Sequence, residues 1–182
     1  MNFLAHVYLS GDDKQITVGN FIGDFIKGKR FENYPDKIKQ GALLHRAIDT
    51  YTDKHPLTAE ARSKMHPAFS KYAGIYLDIF YDHLLAVNWS DYHKMPLRKY
   101  TRRFYFWLIQ NYWNLPLQVK GFLPNLIASN RLYSYRSVGG IERALSIMSM
   151  HTSLPEQSEE AVSFLIDNYD YLNRNFTLFF KD

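Results

Sequence analysis

Apolar residues recur at helical intervals through "IYLDIFYDHLLAVNW", "RRFYFWLIQNYW" and "AVSFLIDNYDYLNRNFTLFF", and no stretch sustains the period-two alternation of a strand. That periodicity predicts an all-α fold. Gly and Pro punctuate it: Gly11 and Gly28 close two short helices, and Pro35 opens a long third that should run to about Asp53. Later breaks are expected near Pro56, Pro67, Pro96, Pro116, Gly139 and Pro155. Ser153 is placed to cap a last helix ahead of Pro155, with Glu156, Glu159 and Glu160 in its opening turns. No linker, repeat or low-complexity tract interrupts the 182 residues, so residues 1–182 are expected to form a single-domain helical bundle.

Composition narrows the chemistry. There is no cysteine, which removes disulfides and thiolate metal sites and leaves oxygen and imidazole as the only donors for a metal. The start, "MNFLAHVYLSGDD", lacks a basic n-region, and no stretch approaches the roughly 20 apolar residues of a spanning helix. A soluble, cytoplasmic protein with no membrane partner is the expectation. The formal charge of +4 is mild, but "PLRKYTRRF" gathers Arg98, Lys99, Arg102 and Arg103 and suggests an acidic partner. No helix-turn-helix, zinc finger or other nucleic-acid module is visible, so that partner is not expected to be nucleic acid.

Polar groups also recur inside the apolar helices. In "HRAIDTYTDKHP", His45, Asp49 and Asp53 stand four residues apart each time and share one helix face. The same spacing joins Asn2 to His6, Asn20 to Asp24, and Asp78 to Asp82, with His83 adjacent. Singly, each has an ordinary structural explanation as a cap, a turn residue or a hydrogen-bonded core histidine. Asp78 and Asp82 together are harder to explain so, because Ile75, Leu77, Ile79, Phe80, Leu84 and Leu85 leave little polar face around them. Desolvating two like charges costs several kcal/mol unless something compensates, and a divalent cation would.

The four segments "MNFLAHVYLS", "GNFIGDFIKG", "HRAIDTYTDKHP" and "LDIFYDHLLAVNW", in this order, resemble the acyl carrier protein phosphodiesterases, which belong to the wider helical HD-type metal-dependent phosphohydrolases. The resemblance implies an HD-type helical bundle. It also implies hydrolysis of the phosphodiester that joins 4'-phosphopantetheine to a serine of acyl carrier protein, with manganese as the usual metal. Magnesium, iron or zinc would suit the same donors. Taken with the residue reading, it assigns Asp24, His45, Asp49 and Asp82 as metal ligands, with Asp24, His6 and His83 in the chemistry, the histidines at or beside the metal as proton donors or outer partners. Lys27 and Arg46 adjoin ligand positions and are candidates to hold phosphate oxygens. Arg98 with Arg102 would meet the acidic carrier. Two other readings stay open: an HD-type phosphohydrolase of a small nucleotide or phosphoester, and a helical binding protein without catalysis.

Overall fold

The computed structural model describes residues 1–182 and is helical throughout, with no strand. The helices are α1 Phe3–Leu9, α2 Lys14–Phe21, α3 Asp36–Lys54, α4 Pro56–Phe69, α5 Ala73–Val87, α6 Trp89–Tyr92, α7 Leu97–Gln110, α8 Leu117–Ala128, α9 Arg131–Ser134, α10 Val138–His151, α11 Ser158–Asp167 and α12 Tyr169–Phe179. Short 3₁₀ turns link several of them, and one of these, Gly23–Phe25, carries Asp24. No helix is long and apolar enough to cross a membrane.

The organising element is α5. Eleven of its fifteen residues are buried, and it packs on α1, α4, α10 and α12 within one core of 43 buried hydrophobic residues. A helix apolar nearly all round has to be central, because any face turned to water would expose large side chains. Beside it, α2 and α3 pack unusually close. A Cβ on Gly19 would lie 2.1 Å from the Ile38 carbonyl oxygen, and one on Gly41 would lie 2.1 Å from that of Ile16. Glycine at both positions lets the two backbones touch, and that contact carries the turn after α2 onto the middle of α3.

Three sequence expectations need correction. Pro67 does not break a helix but lies inside α4, two residues from its end. Pro67 and Ser63 are both exposed, so water can take the carbonyl bond that proline cannot supply. Ser153 caps nothing: Pro155 and Glu156 precede the helix, which begins at Ser158, and the Glu156 carboxylate accepts from the hydroxyls of Ser149 and Ser158. Gly139 lies in the first turn of α10, and the break falls just before it, at Ser137, whose side chain accepts from the Gly140 N–H. In addition, the closing amphipathic stretch divides at Asn168 into α11 and α12.

Candidate metal centre

Three elements bring one group together. His6 projects from α1, Asp24 from the turn after α2, and His45 and Asp49 from one face of α3. The rings of His6 and His45 stack with centroids 4.0 Å apart. Asp49 straddles them, with Oδ1 3.1 Å from His6 Nε2 and Oδ2 3.1 Å from His45 Nε2. Asp24 Oδ1 reaches His45 Nε2 at 3.0 Å. Both imidazoles are buried, whereas the Asp49 and Asp24 side chains are 37% and 61% exposed, so the group is walled on the imidazole side and open on the carboxylate side.

The hydrogen bonds around His6 fix which nitrogen carries a proton. The Asn20 side-chain amide donates to the His6 carbonyl and to the Ser10 hydroxyl, each at 2.9 Å, so its oxygen is left to accept from His6 Nδ1 at 2.9 Å. Nδ1 therefore holds the hydrogen, and Nε2 of a neutral ring presents a lone pair. That lone pair faces Asp49 Oδ1 and, at 3.1 Å, the Met1 carbonyl. Acceptors facing acceptors require a positive charge between them, either a further proton or a metal ion, and the outer bond to Asn20 sets the tautomer that a metal ligand needs.

Electrostatics at His45 agree. Burial pushes its pKa down, but hydrogen bonds and charge from Asp24 and Asp49 outweigh this and raise it to about 9. Asp49 is driven the other way: burial opposes ionisation, yet the bonds from His45 and His6 hold its carboxyl well below the ordinary range. His45 Nδ1 is buried without a hydrogen-bond partner. Its ring is set by packing instead, since a Cβ on Gly23 would lie 2.4 Å from the His45 Cγ. His6, His45 and Asp49 each offer a ligand atom within 4.8 Å of the others, a group that can hold a metal ion.

The group opens into a cleft of about 400 Å³ lined by four carboxylates, Asp24, Asp49, Asp53 and Asp78, with Met1, Asn2 and the apolar Ile75, Ile79 and Met148. The Met1 amino group lies 3.2 Å from Asp78 and 3.5 Å from Asp49. A larger depression of about 660 Å³ runs along the outer side of α3 past Arg46, Tyr51 and Lys54, but it contains none of the converging ligands. Chemistry, not volume, selects the smaller cleft.

Asp82 does not join this group. It is fully buried, and its two oxygens accept the backbone N–H groups of Leu4 and Ala5 at 2.7 and 2.9 Å, capping α1 from a neighbouring helix. Burial still raises its pKa to about 7, with those two bonds opposing the rise. His83 also turns elsewhere: its Nδ1 donates to the Tyr135 carbonyl at 2.7 Å. Arg46 does not point a free guanidinium at the cleft. It donates to the carbonyls of Ile26 and Gly28, stacks on Phe31, and so latches the loop that follows Asp24. Lys27 stands exposed in that loop, and Arg98 and Arg102 are exposed on α7. Sequence reasoning put His6 at or beside the metal, as proton donor or outer partner, and missed Asn20 as its partner. The signal was present, because Asn2/His6 and Asn20/Asp24 had already been noted as polar pairs on apolar helices.

An all-helical chain with imidazoles and carboxylates converging at the open end of a cleft defines a class, helical proteins with a candidate metal centre. Similarity narrows it. The family described as acyl carrier protein phosphodiesterase matches residues 1–182, and the chain belongs to that family. Similar proteins named acyl carrier protein phosphodiesterase include one from Enterobacter sp. (strain 638), 29% identical over 99% of this chain and 94% of the relative. Another, from Escherichia coli O6:K15:H31 (strain 536 / UPEC), is 31% identical over 99% of this chain and 94% of the relative. No solved structure matches the chain significantly.

Proposed function

We infer that this protein is a metal-dependent phosphodiesterase that releases 4'-phosphopantetheine from holo acyl carrier protein and leaves the apo carrier. The observation that carries the reading is the meeting of His6 Nε2, a bare acceptor in the neutral ring, with His45 Nε2 and the Asp49 and Asp24 oxygens, in a chain of this family. Those four residues would hold the ion, and their nitrogen and oxygen donors fit manganese, with magnesium, iron and zinc as alternatives. A bound divalent ion supplies charge neutralisation on the phosphoryl oxygens and an activated water.

The rest of the work belongs to the chain. Asn20 keeps the His6 hydrogen on Nδ1, so that Nε2 stays available as a donor atom. Asp49 bridges the two stacked imidazoles with one oxygen to each Nε2, and Gly23 seats the His45 ring. The walls formed by Ile75, Ile79 and Met148 narrow the cleft around the reacting phosphodiester. Lys27, on the loop that Arg46 latches, is positioned in sequence to meet a phosphate oxygen. Arg98 and Arg102 would attract the acidic carrier. The test is to incubate the purified protein with manganese and holo acyl carrier protein and to follow the carrier by mass spectrometry. Loss of the prosthetic group is the expected result, and an unchanged carrier mass after prolonged incubation contradicts the reading.

A further inference from the structure

Charge is segregated along this chain. Residues 92–141 contain eight Lys and Arg and not one Asp or Glu, although the whole chain has twenty-two of the former and eighteen of the latter. The mild net charge therefore conceals a basic unit, α7 to the start of α10, set against an acidic remainder. On that unit, α7 presents Arg98 and Arg102 at the start of an outward stripe, and the stripe then turns apolar. Phe106 and Ile109 are 57% and 53% exposed, and beyond the turn Trp113 and Leu117 reach 87% and 83%. Four large apolar side chains left this open on consecutive elements are more exposed apolar surface than packing accounts for, and point to a binding surface.

The helix α8 that ends the stripe also packs on the turn that carries Asp24. Phe25, next to Asp24, packs on Phe122 of α8 with ring centroids 5.6 Å apart. Two residues before Phe122, the Lys120 ammonium lies 5.1 Å from the Tyr112 ring and 5.9 Å from the Trp113 ring. The helix α8 thus carries, on different faces, the contact to the turn that holds Asp24 and the cation beside the apolar stripe. That arrangement matters because the scissile phosphodiester is attached to the carrier's own surface, so the carrier body has to rest within a few ångströms of the metal centre.

We propose that the α7–α8 stripe is the docking surface for an acidic amphipathic helix of the carrier protein. Arg98, Arg102 and Lys120 meet its carboxylates, and Phe106, Ile109, Trp113 and Leu117 cover its apolar face. The proposal rests on the carrier-phosphodiesterase reading above and adds the surface and its apolar anchor. A second copy of this chain docked two-fold through the stripe fits less well, since it would bring a region without one carboxylate against the same cations. The carrier supplies the missing charge.

The test uses the double variant Trp113→Ala/Leu117→Ser, both positions being largely in solvent, with Trp113→Phe as a conservative control. Four measurements are made: steady-state hydrolysis of holo acyl carrier protein, binding of the apo carrier, hydrolysis of bis(p-nitrophenyl) phosphate, and sedimentation of the protein alone. In the double variant, KM for the holo carrier and Kd for the apo carrier should rise about tenfold or more. Its kcat and its small-diester activity should stay within about twofold of wild type, and Trp113→Phe should restore most of the affinity. Unchanged carrier affinity overturns the proposal. So does an equal loss on the small diester, a wild-type dimer that the double variant dissolves, or stripe-dependent binding to phosphatidylglycerol vesicles without carrier binding. If the wild type hydrolyses no holo carrier, the proposed function fails, and the apo-carrier titration still decides the surface on its own.

Discussion

Two clusters of carboxylates and imidazoles are set among the apolar helices of this protein, one closed in the core and one open to a cleft, and they behave in opposite ways. Around Asp82 and His83 on α5 the bonds close: the carboxylate takes two N–H groups from α1, and the imidazole donates to Tyr135. Around His6, His45, Asp49 and Asp24 they do not close, because the Nε2 lone pair that Asn20 leaves on His6 faces oxygens of Asp49 and Met1, and only positive charge at that nitrogen balances them. Both clusters are built from the same residue types, carboxylates and imidazoles carried on helices. What separates them is the partner, since backbone donors complete a carboxylate, whereas acceptors facing acceptors leave room for a cation.

The sharpest way to break this comparison is to substitute within each cluster. Asp49→Asn keeps the shape but removes the charge that both imidazoles share. Phosphodiesterase activity should fall about a thousandfold or more, with the melting temperature of the metal-free protein changed by only a few degrees, as activity and calorimetry would show. Asp82→Ala should do the reverse. Two buried N–H groups at the start of α1 would lose their acceptors, which costs about 3 kcal/mol and lowers Tm by roughly 10 °C. Per folded molecule, manganese affinity should be retained. An Asp82→Ala protein of normal stability that binds no metal would reverse the assignment of the two clusters.

Proton linkage gives a second contrast. In the metal-free protein the folded pKa of His45 is about 9 against an ordinary value of 6.5, so the folded state holds the extra proton between those values. Its stabilisation is complete below pH 6.5 and disappears as pH rises through 9. Urea unfolding of the metal-free protein should show a loss on the order of 2 kcal/mol across that window, after discounting for the exposed Asp24, and His45→Gln should flatten it. Metal binding must displace the same proton. Manganese affinity should therefore rise by up to about tenfold per pH unit between pH 7 and 9, with protons released on binding, measurable by calorimetry in buffers of different ionisation enthalpy.

The smallest effect belongs to the basic end of the docking stripe. Arg98→Glu/Arg102→Glu should lower kcat/KM for holo carrier about fivefold at low salt, with the gap narrowing as salt is added and no change on a small diester. A salt-independent loss on both substrates would mean damage to the fold.

How much of this was legible beforehand follows from where the information lies. The helices and the shared face of His45 and Asp49 are local properties, and periodicity and i,i+4 spacing report them well. Asp82 stands apart from the other proposed ligands for a definite reason. Its apolar surroundings did indicate desolvation, but its compensation comes from the N–H groups of Leu4 and Ala5, far away in the chain, and no local pattern encodes that pairing. The partner of His6 was not legible either, because Asn20 meets it across the α1–α2 turn. Pro67 misled because a proline near an exposed helix end removes a bond that water can replace.

The most direct test is a manganese titration of the metal-free protein, followed by calorimetry or by loss of the free-ion electron paramagnetic resonance signal. Saturable binding should be seen in the wild type and in folded Asp82→Asn, and should be lost or weakened by at least about a hundredfold in His6→Ala, His45→Ala and Asp49→Asn. Wild-type affinity in those three variants, or its loss in Asp82→Asn alone, would contradict the account.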